Sequence, residues 1–496
     1  MTVGPVFQSP PALRRIDCSA KPLDVYERLY AGQSYSFLYE SLGETRTGAR
    51  YSFTGGRPRL VFQSKGKRIH LREGSQTRDL IGDPIEMLRQ LVGPPMDLPA
   101  IAPFCGGAVG YLGYEMVRFF ETLPDDNPDD LRLPDSFFIF PEELVVFDHA
   151  AGEACIIVYA QEDATQRLDL MQRALSECAG AGGAGVQPGI TTAHQSGLEV
   201  QDASRTTAPE DGQNDLCFPR TTEEEFTTAV NRAKEYIRAG DIFQVVLSRR
   251  FDFSVTSPPL TLYKALRRTN PSPYAYFLNF GDVQVLGSSP EVLVQLEGRR
   301  VMMRPLAGTR PRGADARQDR LHQQDLLSDE KERAEHVMLV DLARNDLGRV
   351  CSLGTVQTTK LLQVERYAHV HHLVSQVEGR LAEDCDAFDV LRASFPAGTV
   401  SGAPKIRAME IIDELETVKR GVYAGAIGYF SLRGDMDLCI AIRTIVLHGQ
   451  RGSIQAGAGI VADSVPEREV QETLMKAKGL IQAVNAVQGT GGRISC

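Results

Sequence analysis

Two Glu-x-x-Glu pairs are the first residues of this 496-residue chain whose type and spacing could do chemistry. Glu332 and Glu335 lie in Ser328-Asp-Glu-Lys-Glu-Arg-Ala-Glu-His, and Glu469 and Glu472 in Val465-Pro-Glu-Arg-Glu-Val-Gln-Glu. Residues three apart on a helix share a face. Each pair therefore sets two carboxylates side by side, where like charges about 6 Å apart repel by roughly 0.7 kcal/mol in water and by more as the dielectric falls. A hard divalent cation relieves that repulsion. So does bulk water, and Lys331 to Glu335 and Glu472 to Lys476 at i,i+4 suit an ordinary exposed helix face. Both readings stand on the pairs alone.

Other segments add donors. His369-Val-His-His372 allows a pair of imidazole ligands on one strand face, a structural role, or a single catalytic imidazole; no carboxylate or cysteine lies at a companion spacing for a metal. Gln455-Ala-Gly-Ala-Gly-Ile-Val-Ala462 matches G-x-G-x-x-A, but Pro466 delays the following helix and Ala477 to Val487 hold no acid for a ribose. A strand end whose glycine backbone approaches a small carboxylate fits better than a dinucleotide loop, with a plain turn as the bland alternative. Arg304 to Gly313 and Phe395 to Lys405 each contain Gly-Thr in what is expected to be a tight turn, either an anion cradle or a common surface turn. Tyr423, Arg443 and Lys476 are further candidate donors, Lys476 on the stripe of Glu472.

Composition narrows what these groups serve. Fifty-four Lys and Arg against 64 Asp and Glu give a net charge of −10, with no basic run to follow a phosphate backbone, so nucleic acid is excluded as the expected partner. The N-terminus has no charged start and apolar core of a secretory signal, and Ala100 to Val117 is too rich in Gly, and interrupted by Glu115, to read as a membrane span. Nine cysteines without paired spacing suit reduced thiols in a cytoplasm.

Elements to position the candidates can be read along the chain. A stretch poor in large apolar residues, 179–220, divides an N-terminal domain, 1–178, from a C-terminal domain, 221–496, that holds the unusual motifs, and reads as a flexible linker. Strands are expected at Ser34–Tyr39, Arg59–Gln63, Glu143–Asp148, Phe243–Ser248, Tyr274–Phe280, Val283–Leu286, Val292–Leu296, Gly425–Ser431, Leu438–Leu447 and Ser453–Ala456. Helices are expected at Asp169–Cys178, Thr221–Ala239, Leu326–Leu342, Asp386–Ala393, Lys405–Leu415 and Glu467–Gln488. The mixture is α/β or α+β with much sheet.

Together the segments Gly240 to Ser248, Gly287-Ser-Ser-Pro-Glu291, Arg304 to Gly313, Ala334 to Asp346, Ala397 to Met409 and Gly457 to Ser464 resemble, in order and in register, the chorismate-utilising enzymes, over Ser36 to about Val487. The resemblance implies an α+β fold of the α/β sandwich type, with large, mostly antiparallel sheets flanked by helices. It implies one Mg²⁺ on the ring carboxylate of chorismate, with Glu335 and Glu472 as principal ligands and Glu332 and Glu469 holding them or the metal's waters. It further implies that Tyr423, Arg443, Lys476 and the backbone of Gly457, Ala458 and Gly459 grip the substrate's anionic groups, and that Gly308 and Thr309 line its ring.

For the reaction, the resemblance implies ammonia addition at C2 with loss of the C4 hydroxyl, then elimination of pyruvate and aromatisation. Glu291 matches the family's general acid, held protonated by acidic neighbours; His372 assists elimination, with Thr399 nearby. Gln244 stands where water-using members carry a lysine, which suits ammonia better than hydroxide. Ala307 stands where the branch making a para product carries a nucleophilic lysine, so nitrogen is expected at C2, giving the ortho product. An alternative keeps the amino intermediate without losing pyruvate; a para-aminating enzyme ranks third. Ammonia is expected from a glutamine amidotransferase subunit, making a hetero-oligomer. Glu40, Ser41, Arg50, Pro273, Tyr274, Ala275 and Cys439 match the family's tryptophan-sensing region, with Tyr39 for the usual Leu and Ala275 for the usual Met. The loss of Met contact, roughly 1 to 3 kcal/mol, weakens the expected inhibition by L-tryptophan.

Overall fold

A computed structural model describes residues 4–42, 50–160, 162–181, 217–367 and 370–487. Among them the strands form one hydrogen-bonded network of 22, and every pairing is antiparallel. The α+β class with mostly antiparallel sheet is what the structure has. Residues 182–216 of the expected linker, His369 of the histidine cluster and Gln488 lie outside the described residues.

The early strand Tyr35–Glu40 pairs on one side with Tyr51–Lys65 and on the other with Tyr274–Phe280. From there the ladder runs through Val283–Ser289, Thr444–His448 and Arg451–Ile460 to Gln244–Ser254. The adjoining part of the network joins Val292–Glu297 to Met436–Ile440 and that strand to Ala426–Ser431. A third group sets Arg300–Met303, Leu306–Pro311 and Gln357–Arg366 against Val370–Arg380.

Helices cover these ladders with their apolar faces. In Pro466–Val487, Ala477, Leu480, Ile481 and Val484 recur at helical spacing and are buried with Ile445, Leu447 and Ile454 of the sheet. Each fully buried Leu or Ile is worth about 1.5–3 kcal/mol, which fixes the helix and with it Glu469, Glu472 and Lys476. Glu223–Ala239 opens on a capping box: the Thr222 hydroxyl accepts from the Glu225 N–H, the Glu225 carboxylate accepts from the Thr222 N–H at 2.7 Å, and Gly240 at φ 85° closes the helix.

Three local expectations are corrected. The single helix expected over Leu326–Leu342 is two, Ala316–Ser328 and Glu330–Gly348, because Asp329 leaves helical geometry and caps the second helix, accepting from the N–H groups of Lys331 and Glu332 at 3.0 and 3.1 Å. Glu332 and Glu335 thereby fall in the opening turns of a fresh helix. The strand expected over Leu438–Leu447 is broken into Met436–Ile440 and Thr444–His448; the turn between them, with Arg443 at φ 51°, moves the chain from pairing with Val292–Glu297 to pairing with Val283–Ser289. The turn expected within Arg304 to Gly313 is instead the strand Leu306–Pro311 with a bulge between Ala307 and Thr309, where Gly308 takes φ 71°.

Candidate active site

The candidate groups converge where the ends of several elements meet. Gln244, at the start of its strand, is buried, and its Nε2 donates to Glu335 Oε1 at 3.0 Å. That approach needs a glycine opposite: a Cβ on Gly459 would stand 2.6 Å from Gln244 Nε2. Gly457 plays the same part for Tyr423, whose hydroxyl would lie 2.6 Å from a Cβ there, and the Gly457 carbonyl accepts from Lys476 Nζ at 2.9 Å. Both glycines sit inside the strand Arg451–Ile460, so their sequence motif marks close approach of side chains rather than a dinucleotide turn.

One buried guanidinium ties these elements together. Arg420 grips Glu416 through Nε (2.9 Å) and Nη2 (2.6 Å), and also donates to the carbonyls of Val246 and Val400, each at 2.7 Å. Val246 follows Gln244 by two residues, Val400 follows Thr399, and the Tyr423 ring lies 5.6 Å from the guanidinium carbon. The planar fork thus sets the segments carrying the candidates Gln244, Thr399 and Tyr423 relative to each other.

Electrostatics move two candidate groups in opposite directions. Glu291 is buried between Val283–Ser289 and Val292–Glu297, and loss of water pushes its carboxyl up to about 8, outweighing Thr399, the Leu306 backbone and Lys476, which pull the other way. The cause is burial, not the acidic neighbours expected from the sequence. His372 moves oppositely, down to about 4, chiefly through burial, with Arg443, Lys476 and His371 adding to it. Its Nδ1 lies 3.0 Å from the Gly308 carbonyl and 3.1 Å from Thr309 Oγ1. A neutral imidazole that donates Nδ1–H to a carbonyl keeps the Nε2 lone pair for a proton. His371, buried beside it, points elsewhere, to Asp319 at 2.8 Å.

The carboxylate pairs are looser than a ready-made metal cage. Among the described residues no three His, Cys, Asp or Glu side chains gather closely enough to enclose an ion. Glu332 is held by Arg310 at 3.2 Å and Glu472 by Lys476 at 2.8 Å. Burial raises the Glu332 carboxyl, with Glu335 and Asp329 adding to it against Arg310; burial likewise raises Glu469, with Glu472 adding to it against Ser464, Lys331 and Lys476. Two crowded, all-oxygen pairs suit a hard cation that takes one or two carboxylates and keeps its waters. Arg443 completes the charge pattern: burial lowers its guanidinium, and no carboxylate pairs with it among the described ion pairs.

A separate cavity of about 470 Å³ collects Glu40, Ser41, Pro273, Tyr274, Ala275 and Cys439. Arg50 is not among its walls; it pairs with Asp148 at 2.8 Å on the surface. The Glu40 carboxylate is engaged by Arg267 at 2.8 and 3.0 Å and by the Tyr263 hydroxyl at 2.8 Å. Asp437, unremarked in the sequence, lines the same cavity and is pushed up to about 7 by burial, while accepting from Tyr274 (3.1 Å) and Gln295 (2.8 Å). Its signal was period two: in the strand Met436–Ile440, residues 437 and 439 share a face. Arg310, which clasps Glu332, had no comparable signal because its partners Asp325, Asp329 and Glu332 come together only where one helix ends and the next begins.

Residues 37–482 match the family model of the chorismate binding enzymes, and the chain belongs to that family. It is 45% identical over 474 residues to anthranilate synthase component 1 of Acetivibrio thermocellus, covering 93% of this chain and 92% of that one. It is 44% identical over 477 residues to the protein of the same description from Thermus thermophilus, covering 94% and 96%. Among solved structures, anthranilate synthase component I from Streptococcus pneumoniae superposes with a TM-score of 0.74 at 38% identity, covering 94% of this chain and 99% of that one. The menaquinone-specific isochorismate synthase of Escherichia coli shares the fold, with a TM-score of 0.66 at 22% identity and 97% of each chain covered.

Proposed function

We propose that this chain is the synthase component of an anthranilate synthase, converting chorismate and ammonia to anthranilate, pyruvate and water. The observation that carries it is the opposed pair Glu291 and His372: a carboxyl protonated at neutral pH and an imidazole neutral there supply an acid and a base. Glu291 gives its proton to the C4 hydroxyl, which leaves as water while nitrogen bonds to C2, and the ammonium group so formed loses a proton that restores the Glu291 carboxyl. His372 Nε2 then takes the C2 proton, the C3–oxygen bond breaks, and the departing enolpyruvate gains a proton at its methylene carbon to become pyruvate. Tyr423, Arg443, Lys476 and the backbone of Gly457 to Gly459 bind the carboxylates, and Gly308 and Thr309 flank the ring. Gln244 offers a neutral amide to ammonia, and Ala307 offers no nucleophile to redirect nitrogen to C4.

Glu335 and Glu472 are the proposed principal Mg²⁺ ligands, with Glu332 and Glu469 on the metal's waters. When bound, the ion neutralises the ring carboxylate. Ammonia comes from a separate glutamine amidotransferase subunit in the cytoplasm, and L-tryptophan is the proposed occupant of the 470 Å³ cavity. The relationship to anthranilate synthase components over 93% of the chain supports the choice of product.

The test separates acid from base. With chorismate, Mg²⁺ and ammonium salt, Glu291→Gln is expected to stop amination, whereas His372→Asn is expected to aminate and accumulate 2-amino-2-deoxyisochorismate, seen by mass. A His372→Asn enzyme that releases anthranilate at the native rate sinks the assignment.

A further inference from the structure

One side chain belongs to both the cavity and the catalytic corner. Tyr367 lines the 470 Å³ cavity, and its ring meets the His372 imidazole edge to face, with centroids 5.1 Å apart and planes at 74°. Its backbone is pinned on both sides: the N–H donates to the Val370 carbonyl at 2.9 Å, and its carbonyl accepts from Arg312 Nη1 at 3.0 Å. These bonds hold the Tyr367 main chain against the end of the hairpin of Gln357–Arg366 and Val370–Arg380, the point from which the ring reaches His372.

We propose that Tyr367 is a positioning residue for His372, the wall that holds the imidazole on its Gly308 and Thr309 partners and separates it from the cavity. This rests on the reading that His372 serves the reaction. Among the described residues the imidazole's hydrogen-bond partners, Gly308 and Thr309, lie on its Nδ1 side; the aromatic ring supplies a further contact, of a kind worth about 0.5–1.5 kcal/mol beyond area burial. Without the ring, the cavity opens onto His372, and water reaches a group that burial now holds neutral. The groups facing His372 are the Gly308 carbonyl and Thr309 hydroxyl from one neighbouring strand, and Glu365 from the strand paired opposite it. Arg443, Lys476 and His371 face it as well, and the Tyr367 ring covers a further side.

The experiment uses the full chain labelled with nitrogen-15 histidine, with the His372 signals assigned by their loss in His372→Asn. Native protein and Tyr367→Phe are expected to show a single Nδ1–H tautomer at pH 7 and no titration down to pH 5. Tyr367→Ala is expected to show mixed tautomers and a midpoint raised by about one unit or more towards the ordinary histidine value. Its kcat should fall about tenfold with the KM for chorismate little changed. Should Tyr367→Ala not fold, Tyr367→Leu is read in its place, with the same direction at smaller size. An unchanged tautomer and midpoint on loss of the ring overturn the proposal. The nitrogen signals require no turnover, so failure of the synthase reading would not be confused with failure of this one.

Discussion

Glu291 and His372 share a corner, yet burial drives them in opposite directions, because it disfavours whichever form is charged. The consequence is a pH profile broader than a free histidine would give. With free ammonia held constant, kcat/KM is expected to fall below pH about 4, as His372 becomes protonated, and above about 8, as Glu291 loses its proton. An acid limb at the ordinary histidine value near 6.5 would show an imidazole that is not dry. The stability signs follow the same groups. Glu291 has a folded value above its unfolded one, so its ionisation weakens the fold as pH rises from the ordinary glutamate value through about 8; His372 has a folded value below its unfolded one, so its protonation weakens the fold as pH falls from about 6.5 through about 4. Glu291→Gln removes the first of these and should flatten the loss of melting temperature between about pH 5 and 8 while lowering kcat by about 10² to 10⁴.

Helices, strands and loops enter through close approaches that only particular residues allow. Gly459→Ala places a Cβ 2.6 Å from Gln244 Nε2, the end of a side chain that can give way. The variant should fold with a nearly native melting temperature and lose about 10²-fold in ammonia-dependent kcat, since an amide displaced by an ångström no longer meets its partners. Gly457→Ala meets the Leu247 carbonyl at 2.9 Å as well as the Tyr423 hydroxyl, so it should cost stability too. Arg420 makes a sharper element-level prediction. Arg420→Met strands the Glu416 carboxylate in the core and should destabilise by about 3–5 kcal/mol in chemical denaturation, whereas Arg420→Met with Glu416→Met should recover much of it. In that double variant the carbonyls of Val246 and Val400 lose their common donor, so activity should not return with stability.

At the scale of the whole molecule, the 470 Å³ cavity is walled by strands from the first, middle and last thirds of the chain. Ala275→Met returns apolar bulk to it. Titration calorimetry should show L-tryptophan binding about tenfold tighter or more, in keeping with roughly 1 to 3 kcal/mol of added contact; no change would remove Ala275 from the pocket's recognition surface.

How legible all this was varied with the range of the interaction. The strand Tyr274–Phe280 and the helix Lys405–Leu415 were bounded correctly because pattern and turn residues are local. Asp329 was hidden inside a helical pattern, since capping depends on one dihedral and not on periodicity. Gly308 looked like a turn because a bulge and a turn demand the same left-handed glycine. The proposed acid, base and ring-lining neighbours could be named from motif order, but the burial that raises Glu291 also draws on segments far apart in sequence, among them Leu339, Thr399 and Ile440, and Tyr367 and Asp437 have significance only once a cavity exists.

The most direct measurement is the product itself. Chorismate with Mg²⁺ and nitrogen-15 ammonium salt should yield anthranilate labelled on the amino group at the carbon next to the carboxyl-bearing one, with one pyruvate released per anthranilate. Label at the para position, or an aminated product without pyruvate, would contradict the assignment of this chain as the synthase component.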